Sequence, residues 1–380
     1  MERNGSVMTT PNFQNTKEGS TGQGFVRAVV ALLPLLISLA ILTWGFFFIR
    51  DLQTGASVAP QLVLVVLAII WGVGGTVLLF TTANFFVEQL PDEWTQRLQP
   101  FIFVGPALIM LSWALVIPAI RTIIASFFGT SSKDFVGLKN YFYVFTNPTM
   151  LDVFRNTLLW IVFGASFTVA IGLLVAVLAD RSRFENVAKG LVFLPMAISF
   201  VGAGVIWNFV YAVRPVGVPQ IGLLNAIVTA FGGKPEAWTA SFQPWNNFFL
   251  IAIVIWLQTG FAMVLFSAAI KGVPHEILEA AKVDGATEIQ TFFLIMIPQI
   301  MGTIITVTTT VVIFSLKIFD VVWVMTGGQY GTSVIATEFY RQYFTYNNNG
   351  VGSTIAVILF IAVVPVMIYN LRQFAKRQVF

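Results

Sequence analysis

A chain of 380 residues that is 57% hydrophobic and 10% charged, with a mean hydropathy of +0.83, has more apolar surface than a water-soluble fold can bury. It reads as an all-α polytopic membrane protein. The lack of cysteine excludes disulfides and thiolate metal sites, the single histidine leaves no multi-histidine metal centre, and a net charge of +4 fits membrane topology better than nucleic-acid binding.

In chain order, residues 1–24 are polar and rich in Gly, Ser, Thr and Asn, and are expected to form a disordered cytoplasmic tail. Apolar runs of the length a bilayer requires follow at 25–49, 58–86, 101–127, 156–179, 188–211, 247–270, 291–320 and 353–371, about eight transmembrane helices. An even number of spans puts both termini on one side. Arg181, Arg183, Lys189, Arg372, Lys376 and Arg377 mark that side as cytoplasmic. The outer loops are then 128–155, 212–246 and 327–352. They hold Trp238, Trp245, Asn246 and the run Asn347-Asn348-Asn349, and their aromatic residues suit an interfacial belt. No short-period repeat or inverted half-to-half symmetry stands out.

The segment from Lys271 to Gly285 is charged and lies between two long apolar runs. Pro274 suits a first helical turn, where its missing N–H costs nothing. Glu276 and Glu279 fall in or near that turn and complement the helix dipole. Ala280 and Ala281 offer a small surface for close approach, and Gly285 ends the helix. Thr287-Glu288-Ile289-Gln290 then has the capping-box spacing that starts a second helix. Such a helix–turn–helix in a membrane loop suits a grip by another protein; the bland alternative is a solvated amphipathic loop. His275, at the start of this helix, is assigned no role.

Spans six and seven carry polar residues at depth. Trp256, Gln258, Thr259, Gly260 and Phe261 lie near the middle of span six, where Gly260 is expected to loosen or kink the helix. Span seven holds Thr308, Thr309, Thr310, Ser315, Lys317 and Asp320, and the spacing of Lys317 and Asp320 allows a pair on one helical face. These residues suit either interhelical hydrogen bonding or a sugar site with aromatic faces and hydroxyl partners. The chain has no Gly-x-x-x-x-Gly-Lys-Ser/Thr loop, since Gly232-Gly233-Lys234-Pro235 lacks both the spacing and the hydroxyl. Energy from ATP therefore has to come from a partner.

Glu279-Ala280-Ala281, Gly285 and Ile295-Met296-Ile297-Pro298 resemble the EAA motif of binding-protein-dependent ABC importer permeases, with Ile297 where Leu is usual. Within that group the chain is similar to the maltose-type sugar permeases. Phe319-Asp320 through Thr326-Gly327-Gly328 resembles their seventh-span signature, although Gln329-Tyr330 replaces the usual Gly-Pro. Gly105-Pro106-Ala107 and Gly137-Leu138-Lys139-Asn140-Tyr141 also fit, so the resemblance covers about residues 100–380.

The resemblance implies a six-helix permease core over 91–380 with a cytoplasmic EAA coupling loop at 271–290, preceded by two accessory spans at 25–90. It implies a permease subunit, not an enzyme, in a bacterial inner membrane. The cargo would be a sugar or sugar-like osmolyte of the α-glucoside, disaccharide or glucosylglycerol type. Implied partners are a second permease in a heterodimer, two ATPase subunits holding ATP and Mg, an extracytoplasmic solute-binding protein and membrane lipid. No nucleic acid is implied, and no cofactor in this chain. Glu276, Glu279, Ala280, Ala281, Asp284 and Gly285 would couple to the ATPase. Gln258, Phe261, Phe314, Ser315 and Ile318 would contact cargo, with Ser199, Asn208 and Tyr211 of span five as further candidates. The maltose relative has an amide where Ser315 and Ile318 stand, so the site here is less polar in span seven.

Two other classes compete. An ion-coupled secondary transporter would show buried charged pairs in both halves, and only Lys317 and Asp320 come close. A membrane-embedded transferase would cluster acidic, His or Arg residues at one interface, and the outer loops show no such group.

Overall fold

Inside a bilayer every backbone polar group has to be satisfied by its own segment or a close neighbour, so an apolar chain of this kind folds as helices. The computed structural model describes residues 21–54, 60–241 and 243–377, and these are helical apart from loops and one isolated antiparallel bridge between Phe128 and Phe135. Residues 1–20 of the expected tail lie outside the described residues, and 21–24 already belong to the first helix.

The chain divides into two compact units, residues 1–118 and 119–380. In the first, α1 (Thr21–Thr54) packs on α2 (Gln61–Glu88), and α2 on α3 (Asp92–Leu111). Gly45 lies against the Trp71 ring and Gly75 against Leu42, the small-to-large contacts that let membrane helices approach closely. Ser38 and Thr82 share a hydrogen bond of 3.0 Å across that pair. Most large apolar side chains on these helices are exposed, as a lipid-facing surface requires. α3 meets α2 through Phe80 and Phe103, whose ring centroids are 6.1 Å apart. Span 3 (Glu93–Ala125) continues through a π-helical turn, Ser112–Val116, into α4 (Ile117–Ala125).

In the second unit, α5 (Lys139–Thr146) precedes span 4, which comprises α6 (Pro148–Leu159), a π-helical turn and α7 (Ala165–Asp180). Asn147 caps α6, accepting from the Thr149 amide at 2.9 Å. The expected continuous span at 188–211 is corrected. It is two helices, α8 (Glu185–Phe193) and α9 (Phe200–Val210), and the two halves are bent by 102°. Pro195 lies in a 3-10 turn, Leu194–Ala197, Ile198 and Ser199 are extended, and Ser199 Oγ starts α9 by accepting from the Gly202 amide at 3.0 Å. Among the described residues the chain thus has seven helices long and apolar enough to cross a membrane, or eight with the bent pair counted as one.

After α10 (Leu223–Ala230), span 6 is the unbroken α11 (Asn247–Lys271). Gly260 does not kink it. A Cβ there would stand 2.6 Å from the Val192 carbonyl oxygen and 2.8 Å from Phe193 Cα, so the glycine lets α11 touch the backbone at the end of α8. Gly260→Val should therefore push the broken helix away, at about 1–3 kcal/mol of overpacking strain. A lowered unfolding midpoint in detergent, with loss of uptake, is the expected result; wild-type values for both would contradict this packing. Gly172 does the same between α7 and α11, with Ala262 Cβ 2.5 Å from its would-be Cβ.

The charged loop after α11 contains α12 (His275–Val283) and α13 (Glu288–Gln290), and span 7 then runs through a π-helical turn into α14 (Ile297–Leu316). A second correction falls at its end. The helix stops at Leu316, Lys317 caps it, and α15 (Asp320–Thr326) starts afresh. The expected Lys317–Asp320 pair does not form, because the break removes their helical spacing. The chain closes with α16 (Ile335–Tyr340), a π-helical turn at Arg341–Thr345 and α17 (Asn349–Arg377), which carries span 8.

Candidate coupling and cargo sites

Pro274 stands at the N-cap of α12 rather than within its first turn, with Glu276 in the first turn and Lys282 in the last, the polarity a helix dipole favours. Gly285 adopts φ +77°, and behind it the Ala286 amide donates to the Ala281 carbonyl at 2.9 Å, closing the helix end. Thr287 and Gln290 form the capping box of α13. The two alanines differ: Ala281 is buried against the permease, whereas Ala280 is exposed beside Glu276, Glu279 and Asp284. Sequence reading missed Val283, which is 87% exposed on the same face. An apolar side chain so exposed among carboxylates suits a partner's cover. His275 Nδ1 lies 4.0 Å from Glu279 Oε1 on the surface.

Behind α12 is a charge cluster that sequence reading did not find. Lys189 of α8 reaches Asp180 of α7 at 2.5 Å, Glu185 at 2.6 Å and Ser267 of α11 at 2.5 Å. Lys271, two residues before the loop's Val273, also binds Glu185. Ser267 Oγ donates to Asp180 Oδ1 at 2.7 Å, while Asp180 Oδ2 is buried with no partner. Spans 4, 5 and 6 are thus tied at the end that carries the loop. Arg181 adds an exposed bridge to Glu288 at 2.7 Å.

At the break of span 5, a cavity of about 250 Å³ opens between α9, α11 and α14. Gln258, Phe261, Thr310 and Phe314 line it with Met196 and Phe200. Phe200 and Phe314 form a wall, their centroids 6.3 Å apart. Gln258 is only 6% exposed, yet its amide has no hydrogen-bond partner among the described residues. Such an amide at an uncharged cavity has both the donor and the acceptor that a neutral polar ligand would need. Thr310 is already satisfied, donating to the Thr306 carbonyl at 2.8 Å.

The remaining expected cargo residues lie elsewhere. Ser315 is buried without a partner, 3.3 Å from where a Cβ on Gly164 would sit. Ile318 belongs to the hydrophobic core around Trp160 and Leu257. Ser199 caps α9, and Asn208 is exposed. Tyr211 donates to the Phe249 carbonyl at 2.9 Å. Trp256 and Thr259 turn to the other side of α11, toward a larger apolar cavity of about 660 Å³.

Asn246, read from sequence as part of an outer loop, and Asn247, the first residue of the expected span 6, are fully buried. Asn246 donates to the Tyr330 carbonyl at 2.8 Å, and Asn156 to those of Gly331 and Ser333 at 2.6 and 2.9 Å. They hold the loop that follows Thr326-Gly327-Gly328, where Gly327 ends α15 with φ +59°.

The described residues thus form a multi-span helical bundle with a largely apolar cavity beside a broken helix and an exposed charged helix between spans 6 and 7. A family model described as "Binding-protein-dependent transport system inner membrane component" matches residues 168–378, and the chain belongs to that family. It is 54% identical, over 73% of this chain and 99% of the relative, to the osmoprotective compounds uptake permease protein GgtC of Synechocystis. It is 48% identical, over 72% of this chain and 82% of the relative, to the alpha-glucoside transport system permease protein AglF of Rhizobium meliloti. Among solved structures, a chain of a bacterial alginate ABC transporter in complex with its periplasmic protein shares the fold. Its TM-score is 0.63 at 20% identity, covering 73% of this chain and 94% of that one. The protein is therefore a multi-pass inner membrane permease subunit of an ABC importer, and ATP hydrolysis belongs to separate subunits.

Proposed function

We propose that this permease carries a neutral, sugar-like solute of the α-glucoside or glucosylglycerol kind through the cavity around Gln258. The observation that carries this reading is Gln258, a largely enclosed residue whose unpartnered amide lines the cavity with the aromatic rings of Phe200, Phe261 and Phe314. An amide on hydroxyls and rings against a sugar face suit such a cargo, and no charged side chain lines the cavity. The relatives named for osmoprotective compounds and alpha-glucosides support the same class.

In this reading α12 faces the cytoplasm, both termini lie on that side, and residues 25–90 form an accessory pair of spans. Glu276, Glu279, Ala280, Asp284 and Gly285 meet one of two ATPase subunits, which hold ATP and Mg, and Ala281 anchors the helix from behind. A second permease completes the pathway, and a solute-binding protein delivers cargo at the opposite face. ATP binding favours the outward-open state and hydrolysis restores the inward-facing one, each by binding one state better than the other.

Gln258→Ala and Phe261→Ala are each expected to raise the KM for cargo uptake about tenfold, the loss of one good polar or ring contact. Uptake and competition assays with α-glucosides in proteoliposomes check this. Unchanged uptake and unchanged competition in both variants would remove the cavity from the cargo path.

A further inference from the structure

A polar cavity lies at the opposite end of span 4 from α12. The span begins at Pro148 and ends at Asp180, beside α12, and its 33 residues correspond to about 50 Å of helix. Near Pro148, a space of about 220 Å³ is enclosed by α5, the start of α6, α16 and the π-helical turn that follows it. Tyr143, Asn147, Thr149, Arg341, Gln342 and Tyr346 line it, with the Glu338 carboxylate at its base.

The electrostatics are closed on themselves. Glu338 accepts from Arg341 Nη1 at 3.0 Å and from Gln342 Nε2 at 2.9 Å, and Arg341 Nη2 donates to the Gly327 carbonyl at 2.9 Å. The ion pair therefore leaves no net charge to attract an ionic ligand. Several neutral groups stay free. The hydroxyls of Tyr143, Tyr346 and Thr149 and the Oε1 of Gln342 make no hydrogen bond among the described residues, and Asn147 uses only its Oδ1, as the cap of α6. Donors, acceptors and two phenol rings thus surround a space smaller than the roughly 300 Å³ at which drug-sized pockets begin.

We propose that this cavity is a binding site for one neutral pyranose ring on the face of the permease where cargo arrives. It rests on the reading that α12 faces the cytoplasm and the cargo is sugar-like. The site would hold a terminal ring of the cargo apart from the cavity around Gln258. A loop of a docked binding protein is the competing occupant, and the small volume, the lack of net charge and the hydroxyl and amide groups favour the ring.

The test uses the whole transporter in nanodiscs without binding protein, in a Gln258→Ala background that weakens the inner cavity. Methyl α-D-glucopyranoside is the probe, and saturation-transfer NMR is the readout. The probe should show transfer above protein-free nanodiscs, and Tyr346→Ala and Gln342→Met should each raise its apparent Kd about tenfold. Tyr346 is exposed, so its truncation leaves the packing intact. The proposal is overturned by absent transfer in the Gln258→Ala background, or by an unchanged Kd in both outer variants. It is overturned equally if Tyr346→Ala abolishes capture of cargo-free binding protein while the sugar signal persists. Wild-type cargo uptake that no α-glucoside competes with would sink the sugar-cargo reading and this proposal with it, whereas absent transfer with normal competition overturns the outer site alone.

Discussion

Lys189→Met should destabilise the inner end of the bundle, and Asp180→Asn combined with Lys189→Met should recover most of the loss. Asp180 and Lys189 are largely enclosed, with side-chain exposures of 11% and 19%. With the ammonium gone, the Asp180 carboxylate keeps only Ser267 as a donor, and its Oδ2 is already buried without a partner. Removing one partner of such a pair costs about 3 kcal/mol, because a charge is left unpaired where water is scarce. Neutralising both groups removes that charge, so the double variant should fall much less than the single one. Chemical unfolding of the purified chain in detergent reads the difference. Equal midpoints for the single and double variants would show that the cluster is solvated and contributes little.

The cluster has a functional consequence too. It ties α8, whose far end leads through Pro195 to the cavity lining at Met196, to the ends of α7 and α11 that flank the coupling loop. In the double variant, stability returns but the charged tie does not. Cargo-stimulated ATPase activity in the assembled transporter should stay low there while basal activity is kept.

Local signals explain what sequence reading reached. The helix–turn–helix at 271–290 was legible because Pro274, Gly285 and the Thr287–Gln290 capping box act within a few residues of themselves. Gln258 and Phe261 were legible because an amide in an apolar run stands out, and three residues keep both on nearly one face. The charge cluster was not, since Asp180 and Ser267 are 87 positions apart and only folding brings them together. Span 5 read as one helix because its hydropathy is continuous. Pro195 was visible, but the 102° bend depends on the extended backbone of Ile198 and Ser199. Lys317 and Asp320 failed for the converse reason, a helical spacing laid across a point where the helix ends.

Glu279→Lys and Gly285→Pro should both uncouple ATP hydrolysis from uptake, by different routes. Glu279 is 73% exposed and holds no structural contact beyond the distant His275 ring, so reversing its charge should leave the isolated chain folded as before. Against a basic cleft on an ATPase the reversal places like charges together, a penalty of several kcal/mol in association. That corresponds to at least about a hundredfold weaker docking. Gly285→Pro acts on the backbone. The site needs φ +77°, which proline's ring forbids, and it uses the Gly285 N–H to reach the Lys282 carbonyl at 3.1 Å, a donor proline lacks. The end of α12 should then unwind, taking Val283 and Asp284 out of position. Pull-down of the ATPase by each purified variant separates the two effects from cargo recognition. Glu279→Lys should lose the ATPase at low salt and regain part of it as salt rises, because screening weakens repulsion. Gly285→Pro should lose it at every salt concentration. If both variants bind the ATPase and import cargo as the wild type does, α12 is a solvated loop and the motor docks elsewhere.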